Sequence, residues 1–272
     1  MTANTNRQLP SLPIHRLPVV TVKQMRQVDR LMVEEVGVDI IMMMENASIN
    51  TARLAQRLLG GTLPGKKILV LAGKGNNGGD GLGAARHLIN FGAGVTVVLA
   101  SERRDLGENA LVQQQVLDKL GVPIHQANDI DGNQLTKLLA QADLIIDTLL
   151  GYNLKGDPRG EYARLIAAAN QAGRPTLAVD IPSGLDGDTG QPRTPCITAT
   201  WTLTLALPKT GLTTASASRH VGRLYLCDLS VPDQVYSQLG IDTHHLFAAG
   251  AILEVAGVNQ EVEGGAGWSA DD

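Results

Sequence analysis

Between Ala72 and Gly83 the chain reads AGKGNNGGDGLG, which sets Asn76, Asn77 and Asp80 among clustered glycines directly after the apolar run KKILVL. Glycines at the start of a helix let backbone N–H groups face an anion, and Gly73, Gly75 and Gly78 meet the loose spacing G-x-G-x-x-G of a dinucleotide turn. That spacing alone is common. The amide and carboxylate oxygens beside it are more than a phosphate turn needs. Two further clusters have the same character: Asp147 within LIIDTLL, followed by GYNLKGD (Gly151 to Asp157), and Asp180 before IPSGLDGDTG. A carboxylate inside an apolar run needs a partner or a cation. Asp180, at the end of an apolar run and followed by the stiff Pro182, suits acid–base work.

Each cluster also has a plainer reading. Asn and Asp beside Gly bond local backbone in turns. Asp147 could serve as a cap, and Lys155 and Asp157 suit a solvated loop. Asp186 and Asp188 are assigned to the turn, because their spacing does not match an EF-hand loop. Other chemistries lack their residues. The six histidines form no H-x-x-x-H pair, Ser183 sits in PSG rather than G-x-S-x-G, and no G-x-x-x-x-G-K-[ST] occurs, which argues against a histidine zinc centre, a hydrolase elbow and a P-loop. The oxygen-only donors favour a hard cation over a soft transition metal, without specifying which.

The elements that must position these groups alternate. Thr21 with Gln24 resembles a capping box before a helix, and a second helical stretch runs from about Ile40 to Leu59. From Lys66 the order is strand (KKILVLAG), helix (GLGAARHLINFG), strand (VTVVLA), helix (108–120), short strand (VPIHQA), helix (133–141), strand (DLIIDTLLG), helix (161–172), strand (PTLAVDIP), then two strands, ATWTLTLALP and GRLYLCDLS. The strands are apolar throughout, so both sheet faces should be covered. The expected architecture is a Rossmann-like, doubly wound, mostly parallel α/β sheet with helices on both faces. Ligands in such a sheet bind beyond the carboxyl ends of the strands, where all three clusters fall. A single domain over 19–256 is expected, with a flexible or extended arm at 1–18 and a frayed tail at 257–272.

Composition sets the surroundings. Aromatics make up 3% and the net charge is −4, with no basic run, which disfavours nucleic acid and anionic membranes as partners. No apolar stretch approaches a membrane span. Cys196 and Cys227 are expected to be reduced core residues, which fits the cytoplasm.

GKGNNGGDGLGAARHL, DTLLGYNLKGD and VDIPSGLDGDTG, in this order, resemble the YjeF N-terminal domain family, the NAD(P)HX epimerases; MMMENAS and ALPKTGL resemble its helical LMENAG-type segment and a later strand-end motif. The resemblance spans about Val20 to Pro232, with Ser48 where a small Gly or Ala is usual. It implies a Rossmann-like fold that interconverts the R and S forms of hydrated NADH and NADPH, working beside a separate NAD(P)HX dehydratase. The substrate would be lined by Asn76, Asn77, Gly78, Gly79 and Asp80, by Gly151, Tyr152, Asn153, Leu154, Lys155, Gly156 and Asp157, and by Asp180. Asn77, Asp147 and Ser183 would hold potassium, and the family's habit suggests a homodimer through the N-terminal helices. The hydrated ring carries a hydroxyl at C6 beside nitrogen, so losing its configuration needs an acid–base group there. Asp180 is expected to be that group, with Lys155 polarising or shuttling a proton. A dehydrogenase, with Glu102 placed for a ribose, and a non-catalytic interaction module are the alternatives.

Overall fold

The computed structural model describes residues 9–152, 154 and 156–257. In chain order its elements are β1 (Ser11–Pro13), α1 (Val22–Leu31), α2 (Ile40–Leu58), β2 (Lys67–Ala72), α3 (Asn76–Asn90), β3 (Gly94–Leu99), α4 (Glu108–Lys119), β4 (Ile124–Gln126), α5 (Gly132–Gln141), β5 (Leu144–Thr148), α6 (Gly160–Ala172), β6 (Thr176–Val179), β7 (Trp201–Leu205), α7 (Ser218–Val221), β8 (Arg223–Cys227), α8 (Asp233–Ser237) and β9 (Ile252–Ala256). They build one nine-stranded sheet in the order β1-β9-β8-β7-β6-β5-β2-β3-β4. Every pairing is parallel except β8 with β9. Chain order reverses direction at β2, with β3 on one side and β5 on the other. This is the switch point at which a doubly wound sheet opens a crevice.

The unbroken apolar strands have the expected cause. In β2, Ile68, Val70 and Ala72 join the core beneath α1 to α4, while Leu69 and Leu71 join the opposite core beneath α5 and α6. With both faces covered, strand positions are mostly apolar, and the polar ones that occur, such as Thr148, Thr202 and Thr204, are themselves buried. Thr21 caps α1 reciprocally: its amide donates to Gln24 Oε1 at 2.9 Å and its hydroxyl accepts from the Gln24 amide at 3.2 Å. Val22, Met25, Val28 and Leu31 then turn one face of α1 into the core.

Two boundaries differ from the sequence reading. The helix expected to start near Gly81 starts at Asn76, so Asn76 to Asp80 lie on its first turns. Glycine makes this possible, since a Cβ on Gly78 would sit 1.8 Å from the Gly73 carbonyl oxygen. Of the flexible or extended arm expected at 1–18, Ser11–Pro13 takes the extended form inside the domain: β1 pairs with β9 at the sheet edge, through Ser11↔Glu254 and its neighbours. Prolines mask it in the sequence, yet proline is tolerated on an edge strand, whose outer side needs no donors. Residues 1–8 and the tail from 258 lie outside the described residues.

Candidate active site

Beyond the carboxyl ends of β2, β5, β6 and β7 lies a cavity of about 630 Å³. α3 opens onto it with Gly75 at the cap position and no side chain capping its first turn, so the helix dipole faces the cavity. Asn76, Asn77, Gly78 and Asp80 line this wall. Both polar atoms of the Asn77 side chain are buried without a hydrogen-bond partner among the described residues.

Asp147, near the end of β5, is fully buried beneath the loop 149–151 that lines the cavity and, like Ser183, is not itself part of the lining. Its Oδ1 accepts from the Ser183 hydroxyl at 2.6 Å and the Leu149 amide at 3.2 Å, and its Oδ2 from the Ser183 amide at 2.8 Å. Burial raises its pKa to about 6, with these bonds pulling the other way. The Ser183 hydroxyl also accepts from the Leu150 amide at 2.8 Å. The next residue, Gly151, packs so close to Asn77 that a Cβ there would lie 3.3 Å from the asparagine Cβ. Adjacent residues of one loop thus touch Ser183 and Asn77. Amide, hydroxyl and carboxylate oxygens gathered around an orphaned asparagine fit a hard cation. Among the described residues no cluster of His, Cys, Asp and Glu could hold a metal by itself.

At the end of β6 the backbone turns sharply. Asp180 has φ +69, and the Ile181 amide bonds the Val179 carbonyl across it at 2.9 Å. This is the strained γ-turn, which aims the Asp180 side chain into the cavity. Next door, Ala206 after β7 repeats the device, with φ +63 and Leu207 N to Leu205 O at 2.8 Å. The second turn brings Lys209 back under Asp180. Lys209 is 1% exposed; its Nζ donates to Asp180 Oδ1 and, at 2.9 Å, to the Leu205 carbonyl. Val20 straps this loop, accepting from Thr210 N and donating to Pro208 O, each at 2.9 Å.

A third carboxyl arrives from α1. Asp29 lines the cavity and accepts from the Tyr152 hydroxyl, while the Tyr152 ring centroid lies 5.9 Å from Lys209 Nζ. Burial raises Asp29, opposed by the Tyr152 bond and the Lys209 charge and reinforced by Asp180. Burial and then the Asp29 charge raise the Tyr152 phenol. Asp80 is pushed well above the usual carboxylate range by burial and the charges of Asp180 and Asp29, with Lys209 opposing.

The cavity gathers most of the expected residues, including Gly151, Tyr152, Leu154 and Asp157. Two expectations are corrected. Gly79 is not among the lining residues; a Cβ there would meet the Met44 side chain at 2.5 Å, so its small size serves the packing of α2 on α3. Gly156 is an exposed turn residue at φ +70 and is not part of the lining. Asp157 lines the mouth but also accepts the Thr194 amide at 3.1 Å. Asn153 and Lys155 lie outside the described residues. Glu102 pairs with Arg104 at 2.8 Å and is not part of the lining, which weakens the dehydrogenase alternative. Sequence reasoning left Lys209 and Asp29 out of the site, although ALPKTGL, at the end of a fourth strand, marked the lysine's position.

Fold and site together define a Rossmann-type α/β protein with a buried acid–lysine cleft at its switch point. The family model described as YjeF-related protein N-terminus matches residues 40–211, and the chain belongs to that family. It is 38% identical over 242 residues to a Dehalogenimonas lykanthroporepellens protein named NAD(P)H-hydrate epimerase, covering 89% of this chain and 94% of that one. It is also 38% identical to a Moorella thermoacetica bifunctional NAD(P)H-hydrate repair enzyme, over 85% of this chain but only 44% of the longer relative. The crystal structure of the yeast protein YNL200c superposes with a TM-score of 0.74 at 28% identity, over 88% of this chain and all of that one.

Proposed function

We propose that this chain is an NAD(P)H-hydrate epimerase, interconverting the R and S epimers of hydrated NADH and NADPH at nicotinamide C6. The observation that carries this reading is the buried Asp180–Lys209 pair, which shares one cavity with the start of α3 and with Asp80. The helix start receives the dinucleotide phosphates. The C6 hydroxyl sits beside a ring nitrogen whose electron pair can expel it, and returning water to the other face inverts the centre. Asp180, with Lys209 as its counter-charge, exchanges a proton at that oxygen. Lys155 polarises the substrate or relays the proton. Asn77, Asp147 and Ser183 hold a potassium ion, which when bound supplies a fixed positive charge that orders the loops after β5 and β6. The orphaned amide of Asn77 beside the Ser183–Asp147 pair supports that assignment.

The bifunctional relatives support functional pairing with a dehydratase. A homodimer draws support from the exposed side chains of Val33, Val36 and Met42 near the α1–α2 junction. A cytoplasmic setting fits two free, buried cysteines, and no helix among the described residues is long and apolar enough to cross a membrane.

The test mixes purified protein with a defined R/S mixture of hydrated NADPH and an S-specific dehydratase. Accelerated consumption of the R form is expected, and Asp180→Asn should slow it by about 10²- to 10⁴-fold with binding retained. Wild-type rates in that variant would sink the assignment.

A further inference from the structure

Asp29, Asp80 and Asp180 line the inner part of one cavity, where Lys209 is the one buried ammonium among the described residues; Asp157, Lys74 and Arg159 line it from exposed positions. The partners of the three inner acids differ. Asp180 has Lys209, and Asp29 has the Tyr152 hydroxyl. Asp80 is 7% exposed, and among the described residues no donor reaches its carboxyl; the Ser48 hydroxyl bonds only its backbone carbonyl, at 3.0 Å. A charged carboxylate left buried and unpartnered is far more costly than a neutral acid, so the cavity's excess negative charge is relieved by a proton on Asp80.

We propose that Asp80 is a second catalytic carboxyl, held as the neutral acid that protonates the departing C6 hydroxyl, while Asp180 is the base that receives a proton when water returns. The proposal rests on the epimerase reading, because an ion-paired carboxylate alone cannot supply the first proton. The proton moves from Asp80 to the C6 oxygen as the C6–O bond breaks. The ring-nitrogen electron pair forms the C6=N1 bond, leaving water, a ring cation and the Asp80 carboxylate. Water then adds to the opposite face of C6, and the C6=N1 electrons return to nitrogen. The proton released from that water goes to Asp180. The product differs from the substrate only in configuration. Asp180 now holds the proton and Asp80 does not, the form suited to the reverse reaction, and exchange with solvent restores the first form. Asp80 is carried by α3 and Asp180 by the turn after β6, so the two groups reach the cavity from separate elements. The charges felt by Asp80 agree: Asp180 and Asp29 raise it, burial raises it most, and Lys209 alone opposes. Cys227, at the end of β8, also interacts with Asp80 and stays a neutral thiol because burial raises it.

The test is Asp80→Asn, which keeps the size of the group and removes its proton-donating acid. The variant should fold with an unchanged thermal midpoint, since the asparagine, like the neutral acid it replaces, carries no buried charge. Its kcat for the R-to-S conversion should fall at least about 100-fold, with KM changing less than about threefold. Near-wild-type kcat beside an active wild type would overturn the catalytic role. A readout independent of turnover, and of the variant's folding, is the infrared carbonyl band of protonated aspartate in the wild-type protein labelled with ¹³C-aspartate. The band should persist at pH 8, where Asp147 has ionised, and be absent from Asp80→Asn. Its absence from the wild type would overturn the proposal. If the wild type folds and shows the band but fails to epimerise, the reaction is wrong and Asp80's role in it falls, while its protonation stands.

Discussion

Asp147 and Asp80 are both buried acids at neighbouring strand ends, and burial raises both. The surroundings then separate them. Asp147 accepts three hydrogen bonds and rises only to about 6; Asp80 accepts none through its carboxyl among the described residues, sits near two other acids, and rises well beyond the ordinary range. Donors aimed at an oxygen make a group that is ready to be charged, and their absence makes one that keeps its proton. In the reading we propose, the floor of Asp147 and Ser183 is the part that holds a cation, and the wall of Asp80, Asp180 and Lys209 is the part that transfers protons.

The largest effect should come from breaking the wall. Lys209→Met removes the one buried cation beside Asp180 among the described residues and leaves that carboxylate, 4% exposed, without its partner. Removing one member of a buried pair costs about 3–5 kcal/mol, and denaturant unfolding should read a loss of this size together with loss of epimerisation. Unchanged stability would mean that Asp180 does not depend on Lys209 for its charge, and the contrast with Asp147 would fail.

The next effect tests the floor. The folded pKa of Asp147 is raised from 3.8 to about 6, so the protonated form is favoured by folding. Its contribution is present below 3.8 and is lost as pH rises through about 6. The displacement corresponds to a ceiling of about 3 kcal/mol, since each unit is about 1.4 kcal/mol. Potassium bound at the ionised carboxylate should restore part of this. Thermal midpoints should rise with potassium chloride over tetramethylammonium chloride at pH 8, and hardly differ at pH 4.5. An equal response at both pH values would remove Asp147 from the cation site.

Strand ends were legible in the sequence because the sheet is covered on both sides. LVLA, LIID and LAVD cannot be surface strands, and the acids that close them had to collect at one edge. Asp147 and Asp180 were found this way. Lys209 was not, because a lysine reads as solvated and only the γ-turn at Ala206, with the strap from Val20, shows that the chain doubles back beneath Asp180. Asp29 lies on an amphipathic helix where an acid reads as the wet face; its role depends on Tyr152, more than a hundred residues away. Gly79 and Gly156 show the limit within a motif. The spacing that identifies a glycine loop does not tell which glycine meets the ligand, which meets a methionine and which only turns the chain.

The smallest effect concerns the third carboxyl and decides where the wall ends. Asp29 resembles Asp147 in having a donor and Asp80 in facing the cavity, and among the described residues the Tyr152 hydroxyl is the side chain that hydrogen-bonds it. Tyr152→Phe removes this bond without removing the ring that covers Lys209. A single neutral hydrogen bond is worth about 1 kcal/mol, so the thermal midpoint should fall only slightly. The titration should move more visibly. Without its donor, Asp29 loses the strongest influence holding its pKa down and competes with Asp80 for the cavity proton. Relieved of part of its neighbour's charge, Asp80 should ionise at lower pH, shifting the high-pH limb of kcat/KM downward while the plateau stays within about threefold. An unshifted limb would show that Asp29 and Asp80 titrate independently, and would restrict the proton-transferring wall to Asp80, Asp180 and Lys209.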